Sequence, residues 1–299
     1  MARSSINNDV MTAIIFGAAG QDGYYLGKLL TGLGIKWTGV SRSGDFLRTS
    51  LTDMNAVSSL IKEWQPDYIF HLAADSTTRH AAWQQNHDTI STGTFYILEA
   101  VRLVSPRTKV FISGSGLQFR NNGGPIKETD PFDVSSAYAV SRIHSVYTAR
   151  YYRTLGVRAY VGYFFNHDSP LRSEKHVTKK ISEAVRRIAK GSTEKLEIGD
   201  VSVVKEWGFA GDIVEGVWTL VQQEEVSEAL IGTGEGHSIS EWLDVCFSCI
   251  GKDWQGYVNE LNGFQSEYKT LVSDPSLIWS LNWRPRVSFQ ELAEMMIRD

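Results

Sequence analysis

At 299 residues the chain is long enough for one large core or two joined lobes, and its 42% hydrophobic and 21% charged content is ordinary for a globular protein. With 30 Lys and Arg against 34 Asp and Glu the net charge is only −4, which excludes the basic footprint of a nucleic-acid binder and a polyacidic tail. No stretch approaches the ~20 apolar residues that span a bilayer, and residues 1–10 lack the apolar segment of a signal peptide, so a cytoplasmic protein with no membrane partner is expected.

Short apolar runs alternate with segments of helical period. They predict a strand at Thr12–Phe16, a helix over 22–32, a strand at Lys36–Val40, a helix over 53–64 and a strand over 67–72. A long helix within 83–104, a strand over 109–113, a helix over 136–152 and a strand over 157–163 follow. Strand–helix–strand repetition of this kind predicts an α/β fold with a doubly wound parallel (Rossmann) sheet, its six or so strands complete by residue 164. After Phe164 the rhythm becomes irregular, with helices near 177–189, 212–221, 240–250 and 289–296 and short apolar pieces at Leu196–Ile198 and 230–231. The organisation expected is therefore a dinucleotide-binding core over 11–164 and a smaller, mainly substrate-binding lobe over 165–299, enclosing a cleft. Within that lobe Cys246 and Cys249 form a lone C-x-x-C. Because Ile239, Trp242, Leu243, Cys246, Cys249 and Ile250 recur at helical spacing, both thiols are expected in the core, with no metal or redox site.

The first strand runs directly into Gly17-Ala18-Ala19-Gly20-Gln21-Asp22-Gly23 and then into a helix. G-x-x-G-x-x-G in that setting predicts a dinucleotide site: a tight turn leaves the strand, the backbone approaches the pyrophosphate, and the phosphates meet the open N–H groups of the helix N-terminus. Gly17, Gly20, Gln21, Asp22 and Gly23 are its candidate residues. The second strand ends in Ser41-Arg42-Ser43 with no carboxylate at its tip, and an arginine can fork onto a 2′-phosphate, so NADP is expected; nearby Asp45 keeps NAD as the alternative.

Ser115 follows the fourth long strand, and Tyr138-Ala139-Val140-Ser141-Arg142 opens the next long helix. These residues resemble the Ser and Y-x-x-x-K of the extended short-chain dehydrogenase/reductases, with arginine at 142 in place of lysine. The resemblance implies that the tyrosine hydroxyl passes a proton to or from a substrate oxygen that the serine holds, while the cation one helical turn on favours the phenolate. Tyr24 and Lys28 match the same spacing literally but lie beside the phosphate loop, the wrong place for catalysis.

From Gly17 to Asp299 the chain resembles, more closely, the GDP-mannose 4,6-dehydratases and their relatives that reduce GDP-4-keto-6-deoxymannose. The resemblance is carried by Gly17–Gly23, Leu51–Asp53, Pro66–Tyr68, Leu72-Ala73-Ala74, the block Phe165–Pro170 (FNHDSP), 177–181 (VTKKI), Glu206-Trp207-Gly208 and Trp283-Arg284-Pro285. It implies that Leu72, Ala73, Ala74, Tyr138 and Arg142 border the cofactor, and that Asn166 lies near the sugar or diphosphate. Arg172, Lys179 and Lys205 become candidate phosphate partners, and a homodimer is expected. Dehydratases of the group carry Thr-x-Glu after the fourth strand, whose glutamate removes the C5 proton. The stretch here reads Ser113-Gly114-Ser115-Gly116-Leu117, with Leu117 in the glutamate's place. The expectation is accordingly an NADPH-dependent keto-reductase of a nucleoside-diphosphate, GDP in the first instance, 6-deoxy-4-ketohexose. Its rivals are a dehydratase with another base, for which Glu128 is the nearest downstream carboxylate, an epimerase that uses the cofactor transiently, and a non-catalytic dinucleotide-binding regulator.

Overall fold

The computed structural model describes residues 10–75, 77–261 and 263–298. In chain order the first half contains β1 (Thr12–Phe16), α1 (Gln21–Gly32), β2 (Lys36–Val40), α2 (Met54–Trp64), β3 (Tyr68–His71), α3 (Trp83–Asn86), α4 (Gly93–Val104), β4 (Lys109–Ser115), α5 (Ala137–Thr154) and β5 (Arg158–Phe164). The second half contains β6 (His167–Asp168), α6 (Val177–Ala189), β7 (Leu196–Ile198), β8 (Val204–Lys205), β9 (Gly208–Phe209), α7 (Ala210–Val221) and β10 (Glu228–Ile231). It closes with β11 (His237–Ser238), α8 (Ile239–Ser248), β12 (Val258–Glu260), β13 (Thr270–Leu271), α9 (Ser276–Ser280) and α10 (Phe289–Arg298). No helix among the described residues is long and apolar enough to cross a membrane.

Six parallel strands form the central sheet in the order β10-β5-β4-β3-β1-β2, and one parallel bridge from Val40 to Leu47 extends it past β2. Alternation along β1 sends Ile14 and Phe16 into an apolar cluster with α2, α4 and α5, and Ala13 and Ile15 into a second cluster with α1 and α7. The sheet is thus buried on both faces, as a parallel sheet must be. Chain order reverses between β1 and β3, so the crevice at the carboxyl ends of those strands is the switch point where ligands bind in such folds. Local signals fix the helix starts: Asp53 caps α2 through Ala56 N at 3.1 Å, and Ser136 caps α5 through Ala139 N at 3.1 Å.

Three expectations need correction. The first half supplies five strands, and the sixth, β10, comes from the region read as lobe; it pairs with β5 from Glu228↔Val161 to Ile231↔Phe164. Its Glu228 gathers Arg150, Arg153 and the Tyr163 hydroxyl. Burial would raise this carboxyl, but those donors hold it down at about 2. Next, the long helix before β4 is not uniformly α-helical, because residues His87–Thr92 form a π-helical turn. Finally, Cys246 is buried but Cys249 is exposed, since α8 ends at Ser248 and the helical face stops there.

The smaller lobe packs α6, α8 and α10 around stacked Trp207 and Trp242, whose rings lie 4.7 Å apart. Glu206, fully buried, accepts from Ser273 N and Oγ and from Thr233 N, tying the loops that lead out of β13 and β10.

Candidate active site

A cleft of about 540 Å³ opens at the switch point, lined by Gly17, Ala19, Gly20, Ser41–Ser43, Arg48–Thr52, Leu72–Ala74, Asp88 and Thr89. Its floor is shaped by backbone. Gly17 has φ +94°, and a Cβ there would lie 2.7 Å from Ala73 N. A Cβ on Gly23 would strike the Gly17 carbonyl and Ala18, so α1 could not pack against the turn. Gly20, by contrast, meets only the Gly17 carbonyl at 3.3 Å and faces open space at the helix N-terminus. A cradle closed to side chains and open over a helix N-terminus fits a dinucleotide pyrophosphate. Leu72, Ala73, Ala74 and Arg42 all reach this cleft. Arg42 has both terminal nitrogens within 2.9 Å of Gln85 once that amide presents its oxygen. Arg48, which sequence reasoning missed, donates to Ser41 O (3.1 Å) and Gly44 O (2.6 Å) and so fixes the loop that carries Arg42.

Tyr138 and Arg142 lie together, one turn apart at the start of α5, both buried. Arg142 Nε donates to Tyr138 Oη at 3.1 Å, and its guanidinium carbon lies 5.1 Å from the tyrosine ring centroid. The same guanidinium donates to Ser113 Oγ at 2.8 Å and to Ser113 O. Ser113 Oγ in turn donates to the His71 carbonyl at 3.0 Å, and the His71 ring contacts Thr89 O at 3.1 Å. Burial, followed by the Arg142 charge, lowers His71 to about 3, so the ring is neutral at physiological pH. Ser115 instead accepts from Leu117 N at 3.2 Å and caps the turn after β4; among the described residues no hydrogen bond joins it to Tyr138. Ser113 is therefore the serine built into the Tyr138–Arg142 network.

The turn after β4 carries no carboxylate and its neighbours are apolar. A Cβ at Gly114 would lie 2.6 Å from the Tyr163 ring, one at Gly116 would lie 2.8 Å from the Phe165 ring, and Leu117 packs against the apolar cluster of α4 and α5. Glu128 is engaged elsewhere, accepting from Leu230 N at 2.9 Å.

Across the cleft the FNHDSP block folds back onto the glycine turn. Gln21 Nε2 donates to His167 O at 3.2 Å, Ser169 Oγ donates to Gln21 Oε1 at 2.9 Å, and His167 Nε2 lies 2.9 Å from Asp22 Oδ1. Behind this seam Arg172 Nε pairs with Asp168 at 2.9 Å, and Tyr268 Oη donates to Asn166 Oδ1 at 3.4 Å. Lys205 is buried on the same side, its ammonium 4.5 Å from the Trp207 ring centroid. Burial lowers its amine to about 8 despite the Asp168 charge. His176 is lowered to about 4 by burial and then by Arg172. Arg172 and Lys205 thus gather around Asp168, with Asn166 held by Tyr268, while Lys179 is paired with Glu183 on its own helix at 2.8 Å.

Comparison with known proteins agrees with this architecture. The chain is 34% identical to GDP-mannose 4,6 dehydratase 2 of Arabidopsis thaliana, the match spanning 99% of this chain and 88% of that one. It is 29% identical to human GDP-mannose 4,6 dehydratase over 95% and 90% of the two chains. Similar folds include Thermus thermophilus UDP-glucose 4-epimerase in complex with NAD (TM-score 0.81, 21% identity, 96% and 98% covered). RMD from Pseudomonas aeruginosa complexed with NADPH is equally similar (TM-score 0.82, 18% identity, 97% of each chain). The family model for GDP-mannose 4,6 dehydratase matches residues 41–296, and the chain belongs to that family of extended short-chain dehydrogenase/reductase sugar-nucleotide enzymes.

Proposed function

We propose that the protein is an NADPH-dependent keto-reductase of a nucleoside-diphosphate 6-deoxy-4-ketohexose, with GDP as the nucleotide. The observation that carries this reading is the turn after β4, where half-buried Leu117 packs on the apolar cluster at the position the resemblance gives to the elimination base. Reduction requires no such base. It requires a proton donor, a cation beside it and a held carbonyl. NADPH, when bound in the cleft, supplies the hydride. Arg42 and the loop fixed by Arg48 would hold its 2′-phosphate, and Gly17, Gly20 and the start of α1 its pyrophosphate. Asp45 is exposed and does not line the cleft, which favours NADP over NAD. Tyr138 Oη accepts its hydrogen bond from Arg142, which leaves its own proton free to pass to the carbonyl oxygen as that carbon becomes a secondary alcohol. Arg142 then stabilises the phenolate. Asn166, Arg172 and Lys205 would receive the sugar nucleotide, with Lys179 farther out. Ser115 Oγ accepts from Leu117 N, which leaves its hydroxyl hydrogen free to hold the substrate carbonyl.

Incubation with NADPH and GDP-4-keto-6-deoxymannose should oxidise the cofactor and give a sugar heavier by two hydrogens. GDP-mannose should be returned with its water intact. A dehydrated product formed from GDP-mannose at an ordinary enzymatic rate would sink the assignment in favour of the second reading, a dehydratase with a different base, which the names of the curated relatives favour. The expected homodimer belongs to the same reading, and sedimentation would test it.

A further inference from the structure

His167 stands between the two binding regions, and its hydrogen bonds define its charge. Nδ1 lies 2.7 Å from Phe165 O and Nε2 lies 2.9 Å from Asp22 Oδ1. Both partners are oxygens with no hydrogen to give, so both bonds exist together only when each ring nitrogen carries a proton. The imidazolium therefore neutralises a carboxylate held in the first turn of α1. That matters because the same helix N-terminus is where the cofactor pyrophosphate binds, and an uncompensated Asp22 would repel it.

The opposite side of His167 carries the charge that works against it. Asp168 follows directly and pairs with Arg172, but Arg172 Nε and Asp168 Oδ1, though 2.9 Å apart, lack hydrogen-bond alignment and keep no other partner among the described residues. The Arg172 cation opposes protonation of His167, while Asp22 favours it strongly enough to outweigh burial. Lys205, Lys175 and His176 lie beyond, around Arg172 and Asp168.

We infer that the Asp22–His167 pair is a coupling element through which an anion at Arg172 tightens dinucleotide binding at the glycine turn, and the reverse. A diphosphate on Arg172 removes the repulsion felt by His167, which then holds Asp22 more firmly and leaves the helix N-terminus more attractive to the pyrophosphate. Linkage makes the effect reciprocal. Gln21 and Ser169 keep the two segments in register. The inference rests on the proposed reading of Asn166, Arg172 and Lys205 as the sugar-nucleotide region. Asp22 and His167 are positioning residues here, acting through the charge around the helix end.

Titration of NADP into the wild-type protein, alone and with saturating GDP, should show GDP lowering the NADP Kd by about tenfold, within the usual range for coupled sites. In Asp22→Asn and in His167→Gln the ratio of the two Kd values should fall below about twofold, and the double variant should lose no more than either single change. A ratio near one in the wild type with both ligands bound, or an undiminished ratio in the variants, overturns the coupling. Hydrogen exchange on the unmodified protein provides an arm that needs neither folded variants nor GDP. NADP alone should slow exchange of the amides of residues 165–170, and no change there overturns the inference. Failure of GDP to bind while that protection appears would instead count against the nucleotide-sugar reading; inorganic pyrophosphate then replaces GDP in the titration, and an NADP Kd that it leaves unchanged overturns the coupling.

Discussion

The glycine turn and the FNHDSP block meet across one seam, yet they hold their ligand regions by opposite means. The turn works by exclusion: Gly17 and Gly23 are places where any Cβ would strike backbone, so the cradle is a shape that side chains must stay out of. The block works by charge, placing His167, Asp168 and Arg172 in ion pairs and leaving Lys205 buried with no salt bridge among the described residues. A shape made of backbone has no partial state, whereas a set of buried charges can be weakened one member at a time. Perturbing the two sides should therefore give different kinds of failure.

The largest effect is expected on the turn. Gly17→Val forces a β-branched residue to φ +94° and a Cβ into the Ala73 backbone, so cofactor binding should vanish and stability fall by roughly 2–4 kcal/mol, seen by titration and thermal unfolding. Normal NADP affinity in that variant would break the contrast. Next comes Tyr138→Phe, which removes the proton donor and should cut NADPH-dependent turnover ~10²–10⁴-fold with cofactor affinity nearly unchanged, while Tyr24→Phe does neither. Equal losses from the two changes would misplace the catalytic position.

On the charged side, Lys205 is lowered from its ordinary value near 10.5 to about 8, so the unfolded chain binds more protons between those pH values and stability should rise with pH across that window, by about 3 kcal/mol in all. Lys205→Met should abolish that rise, hold or raise stability at neutral pH and weaken GDP binding. A variant less stable at neutral pH would show that the ammonium is well compensated and the contrast overstated. The smallest effect is expected at Arg42. It is exposed, and Arg42→Ala should reduce the preference for NADP over NAD by about tenfold, the loss of one charge-assisted hydrogen-bonding group, read from paired titrations.

What could be read from the sequence follows the same division. The turn was legible because a strand, three spaced glycines and a helix are local, and so were the caps at Asp53 and Ser136. The pairing of Tyr138 with Arg142 was legible because the tyrosine opens the helix after the fourth strand and the cation follows one turn later, a setting that the equally spaced Tyr24 and Lys28 lack. The contact of Ser113 with Arg142 was not, because it depends on which carbonyl and guanidinium lie opposite the strand end, and His71 and Arg142 come from distant segments. Arg48 was hidden for a similar reason, since it serves backbone carbonyls rather than a motif. The seam at Asp22 and His167 joins residues 145 apart, and β10 joins a sheet whose other strands end more than 60 residues earlier. The π-helical turn at His87–Thr92 falls in a polar run whose single apolar residue is Ile90, so periodicity had little to register there.

The late arrival of β10 also sets the order in which the molecule can be completed during synthesis. Until Glu228–Ile231 has been made, the outer edge of β5 has no neighbour, and its residues Val161–Phe164 present unpaired N–H and C=O groups beside an apolar surface. At synthesis rates of about 5–20 residues per second this edge stays open for several seconds while the intervening lobe emerges. The salt-bridge cluster of Arg150, Arg153 and Glu228 closes only then. Nascent or truncated chains that stop short of β10 therefore carry a sticky, slow-to-seal margin, and chaperone dependence and inclusion-body formation should concentrate there rather than at the ligand sites.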